Sequence, residues 1–194
     1  MPVPKEERYT FADILAWDID ARIELIDGVP YMMAPPSTEH QRILMELSGQ
    51  LYNFLKGKKC QVFPAPFGVR LFSRKEDSPD DETGLLEPDI TVVCDRDKLD
   101  KHGCKGAPDF IIEILSPSTQ RRDRLEKYNL YRLAGVREYW IVDPDRKFVQ
   151  AVTLEDGQYP LPQVYTATDK APVSVLDGCV IDLAPVFTGG NENA

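Results

Sequence analysis

Apolar residues recur along this chain in two rhythms. In "PSTEHQRILMELSGQLYNFLKG", Ile43, Leu44, Leu47, Leu51, Phe54 and Leu55 fall three and four apart, the period of a helix that buries one face. Thr38 and Gln41 have capping-box spacing at its start, and Gly57 lies just past its end. Elsewhere the runs are short and β-rich. "PDITVVC" and "DFIIEIL" read as central strands covered on both sides, with a connection of about a dozen residues between them. "YTFADILAWD" predicts a short helix with Thr10 as N-cap and Asp13 in its first turn. "RIELIDGVPYMM" predicts a hairpin around Asp27-Gly28, and "CQVFPAPFGVRLF" an extended segment broken by prolines. "SPSTQRRDRLEKYNLYRLAG" predicts a helix opened by its Ser/Thr/Pro cluster and closed by Gly135. "REYWIVDP" and "KFVQAVTLEDG" are strands around an Asp-Pro turn, and "PVSVLDGCVIDLAPVF" adds one or two more. Strands mixed with two substantial helices predict an α/β or α+β domain with a central mixed β-sheet flanked by helices.

Composition narrows this picture. The 194 residues fit one domain spanning 1–194, with its core from about 10 to 187. Apolar content of 42% and charged content of 28% are ordinary for a soluble globular chain. No stretch approaches the ~20 apolar residues of a membrane span, and no membrane partner is expected. "MPVPKEERYT" lacks the apolar region of a signal peptide, so a cytoplasmic location is expected. In that compartment Cys60, Cys94, Cys104 and Cys179 read as reduced, mostly buried thiols.

The formal charge of −9 argues against indiscriminate binding of nucleic acid, but it is unevenly spread. "RKEDSPDDETGLLEPD" is acidic and turn-rich and reads as an exposed, mobile loop. "QRRDRLEKYNLYR" sets Arg121, Arg122, Arg124, Lys127 and Arg132 against Asp123 and Glu126. Such a segment can serve an anionic ligand; charge alone favours a solvated helix face. Exposed strands such as "KFVQAVTL" could pair between subunits, which points to a homodimer.

The candidate chemistry begins with Glu113, a carboxylate inside the apolar run Phe110–Leu115. An ionised carboxylate in a core is costly unless it is paired or holds a metal. Asp109 lies four residues away in the same strand, roughly 13 Å along the backbone, too far to share a small cation easily. It reads as a loop residue positioning the strand. Asp89 begins a different strand. If "PDITVVC" pairs with "DFIIEIL", Asp89 and Glu113 face each other, an oxygen-rich pair suited to Mg or Mn. The alternative is that Asp89 caps a strand end and Glu113 pairs with a basic residue.

This arrangement resembles the PD-(D/E)XK nuclease superfamily, with its restriction-endonuclease-like fold. "ELIDGVPYMMAPPSTEHQRI", "EPDITVVC", "APDFIIEILSPSTQRRDRLEKYNLYRLAGVREYWIVDP" and "LDGCVIDLAPVF" together resemble, more closely, the Uma-type endonuclease family. The resemblance runs from about residue 10 to 187. It implies a metal-dependent phosphodiester hydrolase, most simply a DNA endonuclease, in which Asp89 and Glu113, joined by Glu24, hold Mg or Mn. The superfamily places lysine two residues after the glutamate, where this chain has Leu115; the resemblance implies that Lys127 on the following helix takes that role. Without the family, Lys127 reads as an exposed partner of Asp123, worth a few tenths of a kcal/mol. Arg121, Arg122 and Arg124 are then candidates for contacts to nucleic-acid phosphates. His40 falls at a position the family tends to keep. Tyr128 and Tyr131 read as core-facing, and Ser116 as part of the helix start. A zinc site from His102, Cys104 and Cys94 is disfavoured by irregular spacing. No phosphate-binding glycine loop or nucleophile elbow is present. Two other readings remain: a non-catalytic interaction module that keeps the fold, and hydrolysis of a phosphodiester other than DNA.

Overall fold

Both rhythms converge on the two faces of a single six-stranded sheet. The computed structural model describes residues 7–19, 21–117 and 121–188. In chain order the elements are α1 (Phe11–Ala16), β1 (Ile23–Ile26), β2 (Val29–Met32), α2 (Thr38–Leu55), β3 (Gln61–Pro64), β4 (Val69–Arg70) and β5 (Ile90–Val93). There follow β6 (Leu99–Asp100), β7 (Gly103–Lys105) and β8 (Phe110–Ile114). A π-helical stretch (Arg122–Lys127) then runs directly into α3 (Tyr128–Ala134). The chain continues through β9 (Glu138–Asp143), β10 (Phe148–Thr153), β11 (Gln163–Thr166), β12 (Lys170–Pro172), β13 (Val180–Asp182) and α4 (Leu183–Thr188). The main sheet has the order β11-β10-β9-β8-β5-β3; β8 and β9 run parallel and their neighbours antiparallel, the predicted mixed sheet.

Alternation along β8 distributes its side chains between two cores. Phe110, Ile112 and Ile114 pack with the α2 stripe Ile43, Leu44, Leu47, Leu51 and Leu55 and with the C-terminal segment. Ile111 and Leu115 pack on the opposite face with Tyr131, Tyr139 and Ile141. Full burial of each such aliphatic side chain contributes about 1.5–3 kcal/mol, so the alternation pins the register of the central strands. Glu113 shares the parity of Ile111 and Leu115 and therefore faces α3.

Local signals in the chain explain the helix ends. Thr10 and Asp13 form the predicted capping box of α1. For α2 the cap is Ser37, one residue earlier than expected: its extended backbone follows two prolines, and its hydroxyl accepts the His40 amide. Gly135 closes α3 with φ 87°, a conformation that favours glycine. Residues 118–120 of the cluster predicted to open this helix lie outside the described residues.

Several expectations are corrected. The acidic loop is anchored, because Glu82 is buried and pairs with Arg70 and Lys105, each at 3.4 Å. The connection after β5 contains β6 and β7, which join β4 in a three-stranded sheet. There Gly103 approaches Gly68 so closely that a Cβ would lie 2.1 Å from its carbonyl oxygen. Beyond β10 lies β11, and the tail brings the expected short strands, β12 and β13, followed by an unexpected α4. "KFVQAVTL" is thus no free edge, since β10 is paired by β9 and β11; strand pairing between subunits would need β11 or β3. Nor are all four cysteines reduced: Cys60 and Cys94 form a disulfide, while Cys104 and Cys179 are buried thiols. The β3–β5 register, Gln61 opposite Val93, brings Cys60 and Cys94 face to face at its end. No helix among the described residues is long and apolar enough to cross a membrane.

Candidate active site

The pairing of β5 with β8 sets Ile90 opposite Ile112, so the register, continued by one residue, sets Asp89 opposite Glu113. Each carboxylate is gripped through one oxygen. Asp89 Oδ2 accepts the Ile114 amide at 2.7 Å and lies 3.2 Å from His40 Nε2, which reaches it from the first turn of α2. Glu113 Oε1 accepts from Lys127 Nζ at 2.9 Å and from the Tyr131 hydroxyl at 2.6 Å. Among the described residues none donates a hydrogen bond to Asp89 Oδ1 or Glu113 Oε2.

Lys127 is not an exposed partner of Asp123: it is 2% exposed, with its ammonium at the centre of an acidic cluster. Its Nζ lies 2.7 Å from Glu24, 2.9 Å from Glu113 and 3.5 Å from Asp123. The π-helical stretch that carries Asp123 and Lys127 packs over the Glu113 face of the sheet. Such wide turns are frequent at functional sites. Glu24, on β1, also accepts the Glu87 amide at 3.1 Å, which ties the hairpin to the approach of β5.

The electrostatics follow from this crowding. Burial pushes the Glu113 pKa well above the ordinary carboxylate value, and Asp123, Asp89 and Glu24 push the same way against the opposing pull of Lys127. Burial disfavours the Lys127 ammonium, but Glu113, Glu24 and Asp123 outweigh it and hold its pKa well above the usual lysine value. The Tyr131 hydroxyl is held protonated by burial and by Glu113. His40 is disfavoured as a cation by burial, yet the Asp89 contact prevails and raises its pKa.

Asp89 and His40 open onto a cavity of about 310 Å³ at the start of α2, lined also by Arg22, Ser37, Gln41 and Ser116. Of the three basic candidates, Arg121 is exposed and Arg122 stacks over the Tyr31 ring at 4.0 Å. The third, Arg124, is engaged by Asp143 at 2.9 Å and Gln150 at 2.8 Å. Asp109 accepts the Cys94 amide and the Arg137 guanidinium, the positioning role its place predicted.

Residues 11–184 match the family model described as "Uma2: Putative restriction endonuclease". The chain belongs to the Uma2 family. A crystal structure described as "a putative nuclease belonging to DUF820" from Anabaena variabilis superposes with a TM-score of 0.71 over 92% of this chain and 97% of that one, at 20% identity. That likeness establishes the fold. An uncharacterised protein of Synechocystis is 30% identical over 109 residues, 56% of this chain, and the match spans about half (53%) of that relative's length. The Uma2 site also contains three groups whose place the sequence did not reveal. Tyr131 was legible only as a core residue, His40 carried no assignable partner, and Asp123 stood four residues before Lys127 with no sign that both would be buried.

Does this Uma2 site suit a divalent ion? Its donors are hard carboxylate oxygens, the chemistry that Mg and Mn prefer. Glu24, Glu113 and Asp123 surround one ammonium and Asp89 lies close enough to act on Glu113, so carboxylates outnumber cations even with His40 counted as a cation. Among the described residues no three His, Cys, Asp or Glu side chains already stand at cation-binding spacing, and Lys127 supplies the counter-charge. The residues fit such an ion by chemistry and by charge.

Proposed function

We propose that this Uma2 protein is a nuclease that hydrolyses phosphodiester bonds of DNA with the help of Mg or Mn, the chain acting as one restriction-endonuclease-like domain. The observation that carries this reading is that carboxylates outnumber cations around Glu113, while one oxygen of Asp89 and one of Glu113 take no hydrogen bond from a described residue.

Asp89 and Glu113, with Glu24 beside them, would hold the ion, which when bound supplies a Lewis acid and a water of lowered pKa. Lys127 is the candidate catalytic cation. Because its neighbours hold it protonated, it suits donation to a phosphate oxygen or to the attacking water rather than proton abstraction. Glu24 anchors the Lys127 ammonium from the hairpin side. Arg121, exposed, and Arg122, stacked on Tyr31, are the candidates for contacts to flanking phosphates, whereas Arg124 would first have to leave Asp143.

The test is incubation of supercoiled, nicked and single-stranded DNA with Mg or Mn. The expected result is cleavage by the wild type and none by Glu113→Gln; equal cleavage by both would assign the activity to a contaminant. A second reading, a non-catalytic module that keeps the fold, is favoured by the engagement of Lys127 with three carboxylates. It predicts no cleavage by the wild type under any of these conditions.

A further inference from the structure

Resting on that reading, the two contacts that hold Asp89 and Glu113, one from α2 and one from α3, have a consequence of their own. We infer that His40 and Tyr131 are positioning residues that each pin one oxygen of a metal-binding carboxylate, leaving the pair to present single oxygens and so to select a small octahedral cation over Ca. From α2, His40 Nε2 is 3.2 Å from Asp89 Oδ2, the same oxygen that takes the Ile114 amide. From α3, the Tyr131 hydroxyl is 2.6 Å from Glu113 Oε1, the same oxygen that takes Lys127. In both acids the donors converge on one oxygen, and no described residue bonds the other. Tyr131 is fully buried and His40 is 9% exposed, so neither ring can swing away without disturbing its packing.

The physical argument is coordination number. Calcium readily takes both oxygens of one carboxylate within six to eight ligands, whereas Mg uses one or two carboxylates within a near-ideal octahedron. A carboxylate with one oxygen committed to protein donors cannot turn to offer both. Groups that orient metal ligands typically change metal affinity by about 10–100-fold when removed.

The experiment measures Mn binding by electron paramagnetic resonance on the whole purified protein without nucleic acid, with Ca as competitor, alongside DNA cleavage. Tyr131→Phe and His40→Leu are each expected to weaken Mn binding by about 10–100-fold and to narrow the preference for Mn over Ca. His40→Gln, whose amide nitrogen can replace Nε2 as the donor to Asp89, is expected to recover most of that loss. A purely structural role for either ring would lower thermal stability without moving the Mn-to-Ca ratio. If His40→Leu does not fold, Tyr131→Phe decides the matter, since it deletes a single hydroxyl. Wild-type Mn affinity and Mn-to-Ca ratio in Tyr131→Phe and His40→Leu would overturn the inference while leaving nuclease activity intact. A wild type that binds Mn, loses it in these variants and yet cleaves no DNA would support the positioning role and overturn the nuclease reading instead. A wild type that binds no Mn overturns the inference outright.

Discussion

Two ion clusters in this fold, each around a buried cation, are built from the same residue types and balanced differently. Around β4, Arg70 and Lys105 face Glu82 and Asp100: Arg70 lies 2.6 Å from Asp100 and 3.4 Å from Glu82, and Lys105 lies 3.4 Å from Glu82. Two cations meet two carboxylates. Around β8, the one Lys127 ammonium meets Glu24, Glu113 and Asp123, with Asp89 close enough to raise Glu113. Titration follows depth as well as balance, since Asp100 is exposed and Glu113 is buried. Burial raises Asp100, but Arg70 and the His102 amide outweigh it and leave that carboxyl below its ordinary value. Glu113, by contrast, is driven well above its ordinary value. A buried cluster that serves only the fold tends to close its own charge, because each uncompensated ion costs several kcal/mol. One that stays unbalanced is a candidate functional site.

The largest expected effects come from removing the central cation of each cluster. Lys127→Met and Arg70→Met should each lower the stability measured by urea denaturation by about 3–5 kcal/mol, since each strands buried carboxylates. Only Lys127→Met should also lower kcat for DNA cleavage, by about 10²–10³-fold. A dead but folded Arg70→Met protein would break the comparison.

Next in size is the response to divalent ions. Mn at about 100 times its Kd should stabilise the wild type by about 2.7 kcal/mol and Glu113→Gln hardly at all, read as a shift in the thermal midpoint. Arg70→Met should respond as the wild type does, because it leaves Asp89, Glu113 and their neighbours untouched.

The pH dependence is expected to be smaller. The folded pKa of Glu113 lies well above its unfolded value near 4.5. Its contribution to stability is therefore fully present below that unfolded value and lost as pH rises through the folded pKa. In metal-free buffer the wild type should lose stability relative to Glu113→Gln across that window. Lys127, also raised, contributes stability that is lost only above 10.5 and does not enter it. A flat difference between the two denaturation midpoints would remove the electrostatic basis of the comparison.

The smallest effect should come from Arg137, whose side chain is 58% exposed beside Asp109. Arg137→Ala should cost less than about 1 kcal/mol in the same assay, because an exposed ion pair is weakened by solvent and salt.

Residue by residue, legibility follows length and locality. The α2 stripe, the α1 capping box, the Asp27-Gly28 hairpin and the Gly135 stop could all be read along the chain, because each is fixed by neighbours within a few residues. Strands of two or three residues such as β4, β6 and β7 carry too little alternation to announce themselves. At six residues α4 is too short for a helical period to show, and packing on α2 sustains it. The Cys60–Cys94 bridge depends on which strands pair, and no spacing rule between two isolated cysteines could reveal it. At the site, the apolar surroundings of Glu113 signalled an unusual carboxylate, while Leu115 in the expected lysine place obscured where its cation would come from.

By itself, the amino-acid order determined the alternating strands, the amphipathic helix and the anomaly of one acid in a buried run, because periodicity and propensity act over short stretches of backbone. Tertiary structure alone decided that Asp89 stands opposite Glu113, that Lys127 is enclosed rather than solvated, and that His40 and Tyr131 grip the two acids from different helices. Those outcomes depend on strand register and on helices crossing a sheet, which join residues remote in sequence through contacts that no local pattern encodes.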